Sequence, residues 1–114
     1  MVKTMKSLDN VLSPVKTALL SVTDNVGHYR PNDGTKDHIV YAEDSSNNLA
    51  GDNNILGQAI QGTIDLYSKG QNGLFDKVQT ALNEAGVAFY LNSVQYDDGE
   101  LKGFIHFQWV FEVA

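Results

Sequence analysis

The sequence contains no cysteine, only two prolines, and just eight basic residues against fourteen acidic ones. Without cysteine the chain can form no disulfide, no thiolate metal site and no cysteine nucleophile. The formal net charge of −6 argues against nucleic-acid binding, because contacts to phosphate depend on clustered lysine and arginine. We therefore expect no sequence-specific binding to nucleic acid.

Long apolar segments are missing as well. No run of about 20 apolar residues is present to span a membrane. Asp9, Asn10 and Pro14 interrupt the N-terminal stretch, where a signal peptide requires an unbroken apolar core. These absences predict a protein without membrane contact that resides in the cytoplasm. The 114 residues, 42% of them hydrophobic, are enough for a single domain over residues 1–114.

Two segments carry apolar residues at helical spacing. In residues 7–22 they recur three or four positions apart, which predicts a helix. Pro14 either kinks this helix or is its first regular residue, with Ser13 as the cap. A shorter amphipathic helix is predicted for residues 74–85, ending before Gly86, a residue suited to the left-handed position that follows a helix.

The remaining regular segments have the features of β-strands. A strand is predicted for residues 38–43, and a short one for residues 26–29. In "GQAIQGTIDLYS" the period is two, with Ile60 to Leu66 alternating between the two faces. The segments "VAFYLNSVQY" and "GFIHFQWVFEV" follow, separated by a turn that contains Asp98 and Gly99. In the last strand one face carries apolar residues, namely Ile105, Phe107, Trp109, Phe111 and Val113.

The order of these segments predicts an α+β fold, in which two helices pack on one face of an antiparallel sheet of four to five strands. Phe89 and Leu91 alternate with Tyr90, so both sheet faces carry large apolar side chains. Two short helices cover only one face well, which indicates a subunit interface on the other. The alternative is that the turn-rich segment before the second strand half covers these aromatic residues.

The stretch "EDSSNNLAGDNNIL", residues 43–56, is predicted to be a long polar loop between two strands. Asp44, Ser46 and Asn48 alternate as oxygen ligands do in an EF-hand. The rest of that motif fails, because Leu49 stands where a glycine is needed and Ile55 where a glutamate is needed. The pattern therefore favours a solvated or partner-facing loop over a calcium site.

Catalytic patterns are weak. The three histidines are scattered, and no serine lies in a GxSxG setting. His106 shares a face of the last strand with Gln108 and Glu112, so it is either a ligand or acid–base group or simply an exposed polar residue. The cluster of Asp97, Asp98 and Glu100 similarly fits a weak cation site or a solvated hairpin tip. We expect no enzyme activity, no catalytic residue, no metal site and no cofactor.

Nearly the whole chain resembles the small tail-completion proteins of long-tailed bacteriophages and prophages. The resemblance rests on the order of the elements, on "GTIDLYSKG" before the second helix, and on "IHFQWVFEV" at the end. It is to the tail terminator, also described as the tail-to-head joining protein. The resemblance implies an α+β virion protein, located in the bacterial cytoplasm before assembly and in the virion tail afterwards.

The resemblance also implies partners. The subunit would form a homo-oligomer, a hexameric ring, on the end of the tail tube protein and would present a surface to the head–tail connector protein. Candidate residues for subunit or partner contact come from the polarity and position of residues in this chain. They are Glu43, Asp44, Asn47, Asn48, Leu49, Asp52, Asn53, Tyr67, Tyr90, Asp97 and Asp98.

Two further expectations and three alternatives accompany this interpretation. The loop of residues 43–55 would become ordered on assembly, and aspartates such as Asp44, Asp52, Asp97 and Asp98 would face a lumen through which DNA slides. The first alternative is a head-side neck or connector component. The others are a small ligand-binding or enzymatic domain that uses His106, Glu112 and Asp65, and a stand-alone dimeric interaction module.

Overall fold

A computed structural model describes residues 7–48, 58–70, 73–97 and 103–114 of the chain. It contains two helices and five strands, and their type and order are those expected from the sequence. The elements are α1 (Leu8–Val22), β1 (Val26–His28), β2 (His38–Asn48), β3 (Gln58–Lys69), α2 (Leu74–Glu84), β4 (Ala88–Asp97) and β5 (Phe104–Val113).

Helix α1 begins at Leu8, six residues before its proline. The Ser7 hydroxyl accepts a hydrogen bond from the amide of Asn10 at 3.2 Å, which caps the first turn. Pro14 then lies inside the helix with its side chain exposed. The alternative in which Ser13 caps a helix that starts at Pro14 is therefore wrong. The buried stripe that the spacing predicted is present on the other side of the helix.

The five strands form one sheet in the order β1-β2-β3-β5-β4. Three of the four pairings are antiparallel, but β1 and β2 are parallel, so the expectation of a purely antiparallel sheet is corrected. The Asn25 side chain explains this pairing. Its amide donates to the carbonyl oxygens of Asp33 and Asp37 at 3.0 and 2.9 Å, which holds the β1–β2 connection so that both strands start at the same end.

Strand β2 is longer than the sequence predicted. It continues through Glu43 to Asn48, so the first part of the predicted polar loop is a strand paired with residues 58–62 of β3. The register shifts between Glu43 and Ser45, which makes Asp44 the extra residue of a β-bulge. Backbone pairing with β3 maintains this strand despite a sequence with low intrinsic β-propensity.

The hydrophobic core lies between the sheet and the two helices, which both pack on the same face. The fully buried side chains there include Trp109 and Phe111 of β5, Ile64 and Leu66 of β3, and Leu19 of α1. The predicted orientations of β3 and β5 are confirmed for these residues. We call this side of the sheet the helix face and the other side the open face.

Strand β5 follows the predicted alternation and begins with an aromatic residue that the sequence analysis did not assign to a face. Phe104 is on the open face, because it precedes Ile105 and pairs with Lys69, yet only 4% of it is exposed. The Lys69 ammonium lies 5.1 Å from the centre of its ring. The open face therefore has a buried aromatic residue at one end, on the same side of β5 as His106, Gln108 and Glu112.

Candidate interaction surfaces

Three aromatic rings stack across the open face. His38 of β2, Tyr67 of β3 and His106 of β5 are direct cross-strand partners. The Tyr67 ring centre lies 4.6 Å from that of His38 and 4.3 Å from that of His106, with the planes inclined by 15° and 14°. Cross-strand aromatic pairs of this kind stabilise a sheet. We call His38, Tyr67 and His106 the ring ladder.

A polar network adjoins the ring ladder. The Nε2 atom of His106 lies 2.6 Å from Oδ1 of Asp65, and the Gln108 amide donates to the same oxygen at 2.9 Å. The Asn92 amide, in the β-bulge of β4, donates to Gln108 Oε1 at 2.7 Å. The side chains of His106 and Asp65 are 20% and 17% exposed, so the pair is at the surface but largely covered.

Only part of the proposed acid–base set is brought together. His106 and Asp65 are in contact, as that hypothesis requires. Glu112 lies six positions further along β5, about 20 Å away at the rise of an extended strand.

Other polar groups do not add to this set. Ser68 is on the helix face, where its hydroxyl donates to the Gly70 carbonyl oxygen. Within the described part of the chain, no three His, Cys, Asp or Glu side chains are grouped to hold a metal ion.

The turn-rich segment between β1 and β2 covers one end of the open face. The carbonyl oxygen of Lys36 lies 2.7 Å from Nδ1 of His38, and the Thr35 carbonyl accepts from the Lys69 ammonium at 3.4 Å. His38 is 2% exposed as a result. The turn-rich segment therefore partly covers the ring ladder, as the alternative in the sequence analysis proposed for the aromatic residues. Tyr67 is half-buried between the two imidazole rings.

Glu43 makes hydrogen bonds within the chain. Its Oε1 atom lies 2.6 Å from Nε2 of His28, whose ring stacks on Tyr29 and Tyr41. Burial acts to raise the pKa of Glu43, but hydrogen bonds from His28 and Tyr29 outweigh it and lower that pKa. The hydrogen bond between Tyr29 and Glu43 also raises the pKa of the Tyr29 hydroxyl. Neighbouring Asp44 is exposed at the bulge, where its carboxylate accepts from the Ser45 hydroxyl.

Strand β4 forms an exposed apolar edge. It is at the end of the described sheet, with β5 as its neighbour, and it runs for ten residues. From Ala88 to Tyr96 its sequence contains no charged residue. Four large side chains are exposed on it, by 41% to 66%, and the last three are on the helix face beyond the helices: Tyr90, Leu91, Val94 and Tyr96.

The opposite edge of the sheet is short. Strand β1 has three residues, and Tyr29 follows it with a positive φ of 68° that turns the chain back. The carbonyl oxygen of Arg30 then lies over the open face at Gly27, where a Cβ would approach it to 1.8 Å. An edge strand of three residues offers few backbone groups for pairing with another chain. The two edges are thus unlike, one of three residues and one of ten.

A groove lies on the helix face beside β1. It has a volume of about 470 Å³ and is formed by the exposed side of α1 and the first strands. Leu12, Leu20, Val26 and Tyr41 give it an apolar floor, while Asp9, Asn10, Ser13, Lys16 and His28 add polar groups. A groove of this size and mixed character suits an aromatic side chain with a polar tip.

The predicted contact residues are only partly placed. Tyr90 is exposed on the open β4 edge, while Glu43 and Tyr67 make contacts within the subunit. The backbone of Asn47 and Asn48 belongs to β2, and Asp97 ends β4. Asp44 is exposed at the bulge of β2. The remaining four predicted contacts, Leu49, Asp52, Asn53 and Asp98, are outside the described residues.

Sequence reasoning did not include three exposed residues of β4 among the candidate contacts: Leu91, Val94 and Tyr96. The available signal was the long run without charge, from Ala88 to Tyr96, in a strongly acidic chain. The groove gave no such signal, because its residues come from α1, β1 and β2 and meet only in the fold.

No protein-family model matches the chain, and no curated protein matches it. In the described part of the chain, neither helix is long and apolar enough to cross a membrane.

Proposed function

We propose that this chain is a virion structural protein, a tail terminator that assembles as a homo-oligomeric ring on the end of a phage tail tube. There it stops growth of the tube and joins the tail to the head connector. It acts by binding and not by catalytic turnover. The bacterial cytoplasm is its location before assembly, and the virion tail afterwards.

The observation that carries the proposal is the open edge of β4. The nine residues from Ala88 to Tyr96 carry no charge, and with exposed Tyr90, Leu91, Val94 and Tyr96 they form a surface suited to burial against another protein. In a chain of net charge −6, it is also a surface that two copies can bring together without direct repulsion. The resemblance in sequence along nearly the whole chain supports the assignment to tails.

The runner-up function is a small ligand-binding module on the open face. The contact between His106 and Asp65, extended by Gln108 and Asn92, favours it. A titration of His106 followed by NMR, with and without candidate ligands, tests this alternative. A head-side neck component is a second version of the leading proposal, and binding to purified tails against binding to purified heads separates the two.

Sedimentation equilibrium over a wide concentration range, with and without magnesium, tests assembly in solution. A ring of about six subunits, seen by electron microscopy of the large species, is the expected result. A closed twofold dimer that does not add to tail tubes would contradict the proposal and would favour the dimeric module.

A further inference from the structure

The open β4 edge and the groove beside β1 occupy opposite edges of one subunit. Order in the sheet places β4 at one end and β1 at the other. Leu91, Val94 and Tyr96 project on the helix face, because they pair with Trp109, Phe107 and Ile105 of β5. The groove is on the same face, since α1 forms one wall of it. Each subunit thus carries exposed apolar side chains of β4 and an open groove on the same side of the sheet, the helix face.

We propose that the exposed helix-face side chains of β4, Tyr96 among them, dock into the groove between α1 and β1 of a second copy of this chain. The contact is head-to-tail, because one copy provides the strand and the next provides the groove. Repetition of a head-to-tail contact closes into a ring when the rotation allows it. The inference rests on the proposed function in taking a second copy as the occupant.

Three observations favour a second copy in this arrangement. The part of β4 from Ala88 to Tyr96 carries no charge, so it approaches another acidic subunit with little repulsion. The groove combines the apolar residues Leu20 and Tyr41 with Asp9 and Lys16, which are partners for a phenol hydroxyl. Finally, β1 has only three residues, so it offers a second copy few backbone groups for extending the sheet.

A twofold contact of β4 with β4 is the main competing arrangement. It would also bury the exposed apolar side chains, but it would leave the groove empty and would close at two subunits. The two arrangements therefore make different predictions for the groove residue Leu20, which is 42% exposed. Only the head-to-tail contact places Leu20 near Tyr96 of another copy.

Because the chain contains no cysteine, single introduced thiols report this contact cleanly. The test mixes a Tyr96→Cys protein with a Leu20→Cys protein of different mass and measures disulfide formation under mild oxidation. The mixed disulfide is expected to form about tenfold faster than either homodimer, since docking raises the effective thiol concentration. The matched control is Thr80→Cys, on the exposed side of α2. It is mixed with the Tyr96→Cys protein in one reaction and with the Leu20→Cys protein in another.

A double variant with Tyr96→Cys and Leu20→Cys extends the test to the whole assembly. It is expected to give a ladder of cross-linked oligomers that ends in a closed species. Predominant Tyr96→Cys homodimers would overturn the proposal in favour of the twofold contact. Mixed disulfides no faster than those of Thr80→Cys would overturn it as well, and circular dichroism of each variant identifies any that fail to fold.

The same experiment separates failure of this inference from failure of the proposed function. Rings seen by electron microscopy without Tyr96–Leu20 cross-links would overturn the docking geometry and leave the ring proposal standing. Specific cross-links in a protein that never binds tail tubes would support the head-to-tail contact and would contradict the tail-terminator function.

Discussion

At the scale of single residues, a few side chains connect the helices to the sheet. Trp109 is fully buried, packs against Phe75 of α2, and donates its indole N–H to Gln79 Oε1 at 3.1 Å. Its position followed from period-two alternation in β5. Its hydrogen-bond partner did not, because Gln79 is thirty positions away along the chain and reaches Trp109 only through the packing of α2.

Replacing Trp109 by alanine is expected to lower the free energy of unfolding by roughly 3–5 kcal/mol, since it leaves a large cavity under both helices. Gln79→Ala, which removes only the hydrogen bond, is expected to cost about 1 kcal/mol. Urea denaturation of both variants measures the two values. Equal and small effects would mean that the helix face and the open face of β5 are reversed.

The Glu43 carboxylate makes stability depend on pH. Its pKa is lowered in the folded chain, so its contribution is present above its usual pKa of 4.5 and is lost as the pH falls through the lower folded value. We expect Glu43→Gln to cost roughly 0.5–1.5 kcal/mol at pH 7. The difference in free energy of unfolding between Glu43→Gln and the unchanged protein should become smaller at acidic pH.

Chemical denaturation at pH 7 and at successively lower pH below 4.5 measures the Glu43 effect. The matched control is Glu112→Gln, an exposed glutamate on β5, which should change stability by less than about 0.5 kcal/mol. A Glu43→Gln effect that grows towards acid would contradict the role of the ionised carboxylate.

At the scale of elements, pairing decides what local sequence leaves open. The pattern in residues 60–66 identified β3 and its buried face, and helical spacing identified both helices, because apolar periodicity reports burial directly. The end of β2 could not be found in this way. Its residues after Asp44 are polar and form a strand because β3 lies beside them.

Gly62 shows how the bulge of β2 constrains its partner strand. A Cβ at Gly62 would approach the Ala42 carbonyl oxygen to 2.2 Å and Phe111 to 2.8 Å. Gly62→Ala is therefore expected to destabilise the fold by about 1–3 kcal/mol. The measurement is the shift in melting temperature and in urea midpoint.

Gly34→Ala provides a matched control in the β1–β2 connection. There a Cβ would lie 3.6 Å from Pro31, an ordinary contact, so the substitution should be neutral or slightly stabilising. Similar destabilisation by both alanine substitutions would mean that the close approach of a Cβ at Gly62 to Ala42 and Phe111 is not the cause of the lost stability.

At the scale of the whole molecule, the important feature is the difference between its two edges. The general α+β architecture could be predicted from the sequence, as could an excess of apolar residues on the strands. The short β1 edge, the open β4 edge and the groove could not, because each depends on strand order and on residues distant in the chain. These features give the described part of the chain two different exposed surfaces at opposite edges of the sheet.

The most direct measurement of the proposed function is the length of tail tubes grown in the presence of this protein. Tubes would be polymerised from the tail-tube protein encoded in the same genome, with and without the protein, and measured by electron microscopy. Tubes that stop growing and carry a ring of the protein at one end are the predicted result. Tubes of unchanged length with no protein at their ends would contradict the account.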